Sequence, residues 1–276
     1  MVTHKWQRAI ILVVLIIGSI VMLFPFAWLV STSLKPLADA FDGNFIPQHL
    51  TFSNFTQILA NGSAASVGQW LGNSIFSAIS TSILVMLLDS LAAYGLARLH
   101  FLGKKVVFYV LVGSLMVPFI AILIPLYLEF ANLNLLDTYG ALILPYTSNA
   151  FGVFLLYQFF LSIPKELEEA AIIDGANKFQ MWRKIFLPLS IPATATLGMM
   201  TFMGVYNDFF WPLVATSSNS MRTMTVGVAL MTIGPYSTNY PLLMALTIFS
   251  MIPTLIAFIF AQRQLLQGVA TTGINI

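Results

Sequence analysis

The side chains able to do chemistry are few, and most of them stand in one stretch. Residues 162–188 read SIPKELEEAAIIDGANKFQMWRKIFLP. Lys165, Glu166, Glu168, Glu169, Asp174, Lys178, Arg183 and Lys184 are eight of the twenty-two formal charges in a chain that is 58% hydrophobic and 8% charged. Such a cluster supports contact with water and a partner, not bond-making. Three further polar residues, Asp89, Asn207 and Asp208, interrupt apolar runs. There a carboxylate or amide either marks a translocation pathway or is held by a neighbouring helix, and the residues alone leave both readings open.

Catalytic constellations are absent. No phosphate loop, GxSxG elbow, HExxH or GxGxxG occurs, so the chain carries no legible means of binding and splitting ATP. The three histidines, His4, His49 and His100, are scattered without metal-ligand spacing, and cysteine is missing. A net charge of +2 gives no footing for nucleic acid. The reading is therefore no enzyme, no cofactor and no metal in this chain.

The stretch itself predicts two short helices. Pro164 suits a helix start, and Glu166, Glu168 and Glu169 favour the positive end of its dipole. Gly175 breaks the first helix, Asn177 with Gln180 makes a capping box for the second, and Pro188 ends it. Leu167, Ala170 and Ala171 are expected on one face, Phe179, Trp182 and Phe186 on another, and Glu166 on a different face from Glu169. An amphipathic loop resting on a membrane surface has the same pattern.

Positioning falls to long apolar runs. A mean hydropathy of +0.88 and 23 Phe indicate an all-α polytopic membrane protein of one domain, 1–276. Six spans are expected at about 9–30, 71–97, 106–128, 140–161, 191–214 and 241–261, with the charged loop at 162–190. Ser74, Ala78, Ser82, Met86, Asp89 and Ala93 recur at helical spacing, so that face of the second span should meet protein. Pro118 and Pro125 predict kinks in the third. A polar loop from 35 to 70 should hold a short helix near 50–59, and Arg263 should begin a tail. If the N-terminus is inside, ten of the twelve Lys and Arg lie inside, which places both termini in the cytoplasm.

Glu169-Ala170-Ala171, with Asp174-Gly175 and then Ile185-x-Leu187-Pro188 at gapless spacing, resembles the EAA loop of the membrane subunits of binding-protein-dependent ABC importers. Ser33-Leu34-Lys35-Pro36, Asn73-Ser74, Ala93-Tyr94-Gly95-Leu96-Ala97-Arg98, the run from Tyr206 to Leu213 and Gln262-Arg263 with Gln267-Gly268 are similar to its carbohydrate-uptake branch, in particular the shorter, six-span permease of maltose-type transporters. Tyr206 stands where Trp is usual, and the tail ends Thr-Thr-Gly-Ile-Asn-Ile where a basic residue is common.

The resemblance implies a type I permease fold in a bacterial cytoplasmic (inner) membrane. It also implies a second permease, two ATP-binding cassette ATPase subunits that bind ATP and Mg, and an extracytoplasmic sugar-binding protein as partners. Glu169, Ala170, Ala171, Asp174, Gly175, Ile185, Leu187 and Pro188 would form the ATPase-coupling site, and a sugar, in particular an oligosaccharide, would cross by alternating access. The outer loop at 217–236 would meet the binding protein. The rival reading is an ion-coupled secondary transporter using Asp89 and Asp208.

Overall fold

The structure is a computed structural model that describes residues 5–60, 67–233 and 237–272. Among these residues the regular elements are helical: α1 (Lys5–Ser33), α2 (Ser53–Leu59), α3 (Val67–Arg98), α4 (Lys104–Ser114), α5 (Phe119–Asn132), α6 (Tyr139–Ile143), α7 (Ala150–Ser162), α8 (Lys165–Ile173), α9 (Lys178–Met181), α10 (Leu187–Leu189), α11 (Ile191–Asn207), α12 (Phe210–Ala215), α13 (Met224–Met231) and α14 (Tyr240–Thr272). Three helices, Trp6–Ser33, Val67–Arg98 and Tyr240–Phe260, are long and apolar enough to cross a membrane, and three bent pairs raise the number to as many as six if each pair is one crossing. The chain is an integral membrane protein.

The expected third span is not one kinked helix. Residues 115–118 leave the helical path, α4 and α5 meet at 101°, and Pro118 stands as the extended N-cap of α5. Proline clashes with a helical residue before it, so a helix stops short of Pro118 and restarts after it. Pro125 stays inside α5. The fourth span bends by 44° before Asn149, whose side chain accepts from the N–H groups of Phe151 and Gly152 and caps α7. In the fifth, α11 ends at Asn207, and Asp208 takes an extended conformation before α12. The sixth helix does not stop at a tail near 263; it runs on to Thr272, and the last four residues lie outside the described ones.

Two compact units emerge, 1–68 with 227–252, and 69–226 with 253–276. In the first, the loop after α1 folds back on the helix end. Buried Asn54 donates to Ser33 O (2.8 Å) and Lys35 O (2.9 Å), satisfying carbonyls that a helix terminus leaves open. Buried Lys35 pairs with Asp42 at 2.6 Å, which holds the Asp42 carboxyl below the usual range. The short helix expected near 50–59 is α2, and Phe55 and Phe249 pack at 6.2 Å.

The second unit is built on α3. Ser74, Ala78, Ser82, Asp89 and Ala93 are all buried, as the small-residue stripe requires. One core joins Val85, Tyr94, Leu156, Phe160, Trp182, Phe186 and Leu197, and another joins Phe130, Ala141, Trp211 and Ala215. The first of these positions the charged stretch, because Trp182 and Phe186 belong to it.

Candidate functional site

Residues 162–190 form the expected helix, turn, helix. Pro164 is the N-cap of α8 rather than its first residue. At the other end Ala176 N donates to Ala171 O (2.9 Å) and Gly175 N to Ile172 O (3.0 Å), the paired bonds of a Schellman turn. That turn needs a left-handed residue, and Gly175 supplies it at φ 75°. Asn177 and Gln180 then cap each other reciprocally at 2.8 and 2.9 Å. The C-terminus of α8 and the N-terminus of α9 are thus closed by their own residues, which fixes the turn between the two helices.

Pro188 does not end the second helix. The chain passes from α9 through a π turn, Trp182–Phe186, into α10 and stops at Leu189. The Leu187 N–H reaches back to Trp182 O in the wide turn just before Pro188, which has no N–H to offer. At Ser190 the path turns by 79° into α11.

The expected faces divide. Ala171 is buried, but Ala170 and Leu167 are exposed; Trp182 and Phe186 are buried, but Phe179 is 58% exposed and rests on Trp182 at 5.3 Å. The inward side of α8 is carried by Glu168 and Ala171, three residues apart. Glu169, Ile172 and Ile173 (86% exposed) lie on the outward side. Glu166 does not sit on a separate face: it is exposed like Glu169 and stands three residues before it, close to the same stripe. Asp174, Gly175 and Pro188 are exposed, and Ile185 and Leu187 are half-buried.

Inside this outward surface lies a charge cluster that sequence reasoning passed over. Arg98, the last residue of α3, is 8% exposed and donates to the carbonyls of Phe160 and Ile163. It stands 3.8 Å from Glu168, and its guanidinium lies 5.0 Å from the Phe186 ring. Glu168 also pairs with Lys178 at 3.4 Å. The available signal was weak: an arginine ending a small-residue helix face, and a glutamate three residues before a buried alanine.

The apolar-run polar residues go to separate places. Asp89 is 2% exposed, accepts from the Asn149 backbone and leaves Oδ2 without a hydrogen-bonding partner among the described residues. It therefore faces the start of α7, the positive end of a helix. Asp208 accepts from the Tyr146 hydroxyl and the Phe210 N–H (3.2 Å), while its carbonyl accepts from Thr225 (2.7 Å). Asn207 is exposed, donates to Met203 O (2.8 Å) and accepts from Thr254 (3.4 Å). Among the described residues no hydrogen bond links Asp89 with Asn207 or Asp208; each carboxylate attends a helix break.

Near 217–236 the described residues include α13, and 234–236 lie outside them. Asp137 Oδ1 accepts from Ser217 and Ser218 N–H, both at 3.0 Å, and Asn73 Nδ2 donates to Ser220 O and Arg222 O.

Residues 87–271 match the family described as binding-protein-dependent transport system inner membrane component. The arabinooligosaccharides transport system permease protein AraQ of Halalkalibacterium halodurans is 34% identical over 259 residues, 92% of each chain. The diacetylchitobiose uptake system permease protein NgcG of Streptomyces coelicolor is 31% identical over 260 residues, 93% of this chain and 85% of that one. The fold is similar to that of a chain in the crystal structure of a bacterial ABC transporter involved in the import of the acidic polysaccharide alginate, with a TM-score of 0.82 at 23% identity over 95% of this chain and 99% of the other.

Proposed function

Because the chain belongs to the family of binding-protein-dependent transport system inner membrane components, we propose that it is the permease subunit through which an ABC importer passes an oligosaccharide delivered by an extracytoplasmic binding protein. The observation that carries the substrate class is full-length similarity to permeases named for arabinooligosaccharide and diacetylchitobiose transport. ATP hydrolysis belongs to a separate ATPase, and this chain is not an enzyme. A second permease and two ATPase subunits, which bind the ATP and Mg, complete the assembly.

The coupling site is the outward side of 162–190. A rigid, doubly capped pair of helices transmits a push that a soft loop would absorb. Glu169 is the charge at the middle of the exposed side of α8, with Ala170 beside it small enough to let a partner approach. Asp174 and Gly175 make the turn, Ile185 and Leu187 pack the second helix against the core, and Pro188 stands exposed after its π turn. ATP closes the ATPase dimer, the helices are drawn inward, and the spans rock between inward- and outward-facing states. Asp89, Asn207 and Asp208 are the pathway candidates, of which Asn207 is the exposed one. The ion-coupled reading gains no support from Asp208, whose side-chain oxygens are both engaged.

The test is co-purification and uptake. The chain, co-expressed with its second permease, ATPase and binding protein, should take up labelled arabinooligosaccharide or diacetylchitobiose into proteoliposomes only when ATP is enclosed. A charge-assisted contact in a partly buried interface is worth about 1.5–3 kcal/mol, so Glu169→Lys should sharply reduce ATPase attachment and uptake while membrane insertion stays normal. Glu129→Lys, an exposed carboxylate on α5, serves as the control. Uptake driven by an ion gradient without ATPase would refute the reading.

A further inference from the structure

The geometry points to Arg98 and Glu168 as the joint that makes the 162–190 module move as one body with α3 and α7. This rests on the coupling reading above and adds to it the place where force leaves the module. One buried guanidinium meets three segments besides its own helix: it donates to the carbonyls of Phe160 and Ile163 at the end of α7, faces Glu168 of α8 at 3.8 Å, and covers Phe186 of the π turn at 5.0 Å. Glu168 extends the cluster to Lys178 of α9 at 3.4 Å.

Arginine is suited to this because its planar fork presents several donors at fixed angles and keeps an aromatic face in contact at the same time. A lysine offers a point charge on a flexible stem and cannot hold all of these partners in one geometry. The two carbonyls matter as well, because they lie where α7 stops: Phe160 O already accepts the Ile163 N–H at 3.3 Å and takes the guanidinium as a second donor, so Arg98 braces the last turn of the helix and the residue that leaves it. Ile163 and Pro164 are all that separates α7 from α8, so without the guanidinium the two helices are joined by a two-residue extended link. Arg98 closes that link from the side, and Phe186, fully buried, backs it. A stroke arriving at Glu169 passes through Glu168, its chain neighbour, into α3 and α7 instead of bending the link. Arg98 and Glu168 are thus positioning residues: neither faces a docking partner, and neither touches substrate.

The experiment uses the assembled complex of this chain with its second permease and ATPase. The chain has no cysteine of its own, so Ile83→Cys on α3 and Leu167→Cys on α8, both at exposed positions, can carry spin labels once the partners' cysteines are removed. Leu167 stands two residues from Glu169 and so points away from that carboxylate, but it neighbours Ala170, so the labelled chain is first shown to hold the ATPase as the unlabelled chain does. The label separation is measured without nucleotide and with ATP trapped by vanadate.

In the otherwise unaltered chain the separation should be narrow and the same in both states. In Arg98→Lys and in Glu168→Ala the ATPase should stay attached and hydrolyse ATP, while the ATP state shifts and broadens the separation. Glu168→Ala touches none of the carbonyl contacts, so it decides the matter should Arg98→Lys fail to assemble. A narrow, nucleotide-independent separation in Glu168→Ala would overturn the joint, and so would loss of ATPase attachment in that variant, since the docking side is intact. If the unaltered chain itself retains no ATPase, the coupling reading falls first and the joint with it.

Discussion

Asp89 of α3 and Gly152 of α7 approach so closely that a Cβ added at residue 152 would lie 2.1 Å from Asp89 Oδ2, and 2.9 Å from Leu197 Cδ1. Glycine is thus required there by neighbours, not by backbone conformation. Gly152→Ala should lower stability by about 1–3 kcal/mol through overpacking, read as a shift of the unfolding transition in detergent. Gly95→Ala, where nothing lies within 4 Å, should be neutral or mildly stabilising. Combining Gly152→Ala with Asp89→Ala should recover part of the loss, and strict additivity would refute the contact.

Tyr146→Phe removes the hydroxyl that Asp208 accepts and leaves the ring in place. The cost should be about 1–2 kcal/mol, since hydrogen bonds in membrane bundles contribute modestly even when charged groups take part. Asp208→Asn, which keeps an acceptor, should cost less. Equal melting behaviour for Tyr146→Phe and the parent chain would count against the bond.

A pH dependence should arise at Asp137. Burial raises its carboxyl, but hydrogen bonds from the Ser218 side chain and backbone and from the Ser217 backbone, with the charge of Arg222, outweigh this and hold it below the usual range. A lowered folded value means the contribution is fully present above the ordinary aspartate pKa of about 3.9 and is lost as pH falls through the lower folded value. Amide exchange at Ser217 and Ser218, corrected for intrinsic rates, should speed up in that acid window, and Asp137→Asn should abolish the step. A step that survives in Asp137→Asn belongs to another group.

Orientation can be tested with fusions. A reporter placed after Gly175 should read cytoplasmic and one placed near Asn219 external, because with six crossings and the N-terminus inside ten of the twelve Lys and Arg would lie inside. The opposite signal at either position would reverse the assignment.

Hydropathy marked apolar runs at 9–30, 71–97 and 241–261, and these fall within α1, α3 and α14. It could not see the breaks. An apolar count treats residues 106–128 alike whether straight or folded at 101°, and only Pro118, read as a kink, hinted at the corner. The capping chemistry of 162–190 was legible because Gly175, Asn177 and Gln180 act locally. The inward side of α8 was not, because Glu168 looks like one more first-turn acid until Arg98, seventy residues earlier, is brought beside it.

The bond between Tyr146 and Asp208 also bears on how the chain is made. Synthesis runs from the N-terminus, so the segment bearing the phenol leaves the ribosome before the segment bearing the carboxylate. An aspartate at the centre of an inserting helix is disfavoured by about 2.5–3.5 kcal/mol, and less towards its end. A waiting donor offsets part of that. On this account Tyr146→Phe should show its defect first in the yield of inserted protein, and an unchanged yield would count against it.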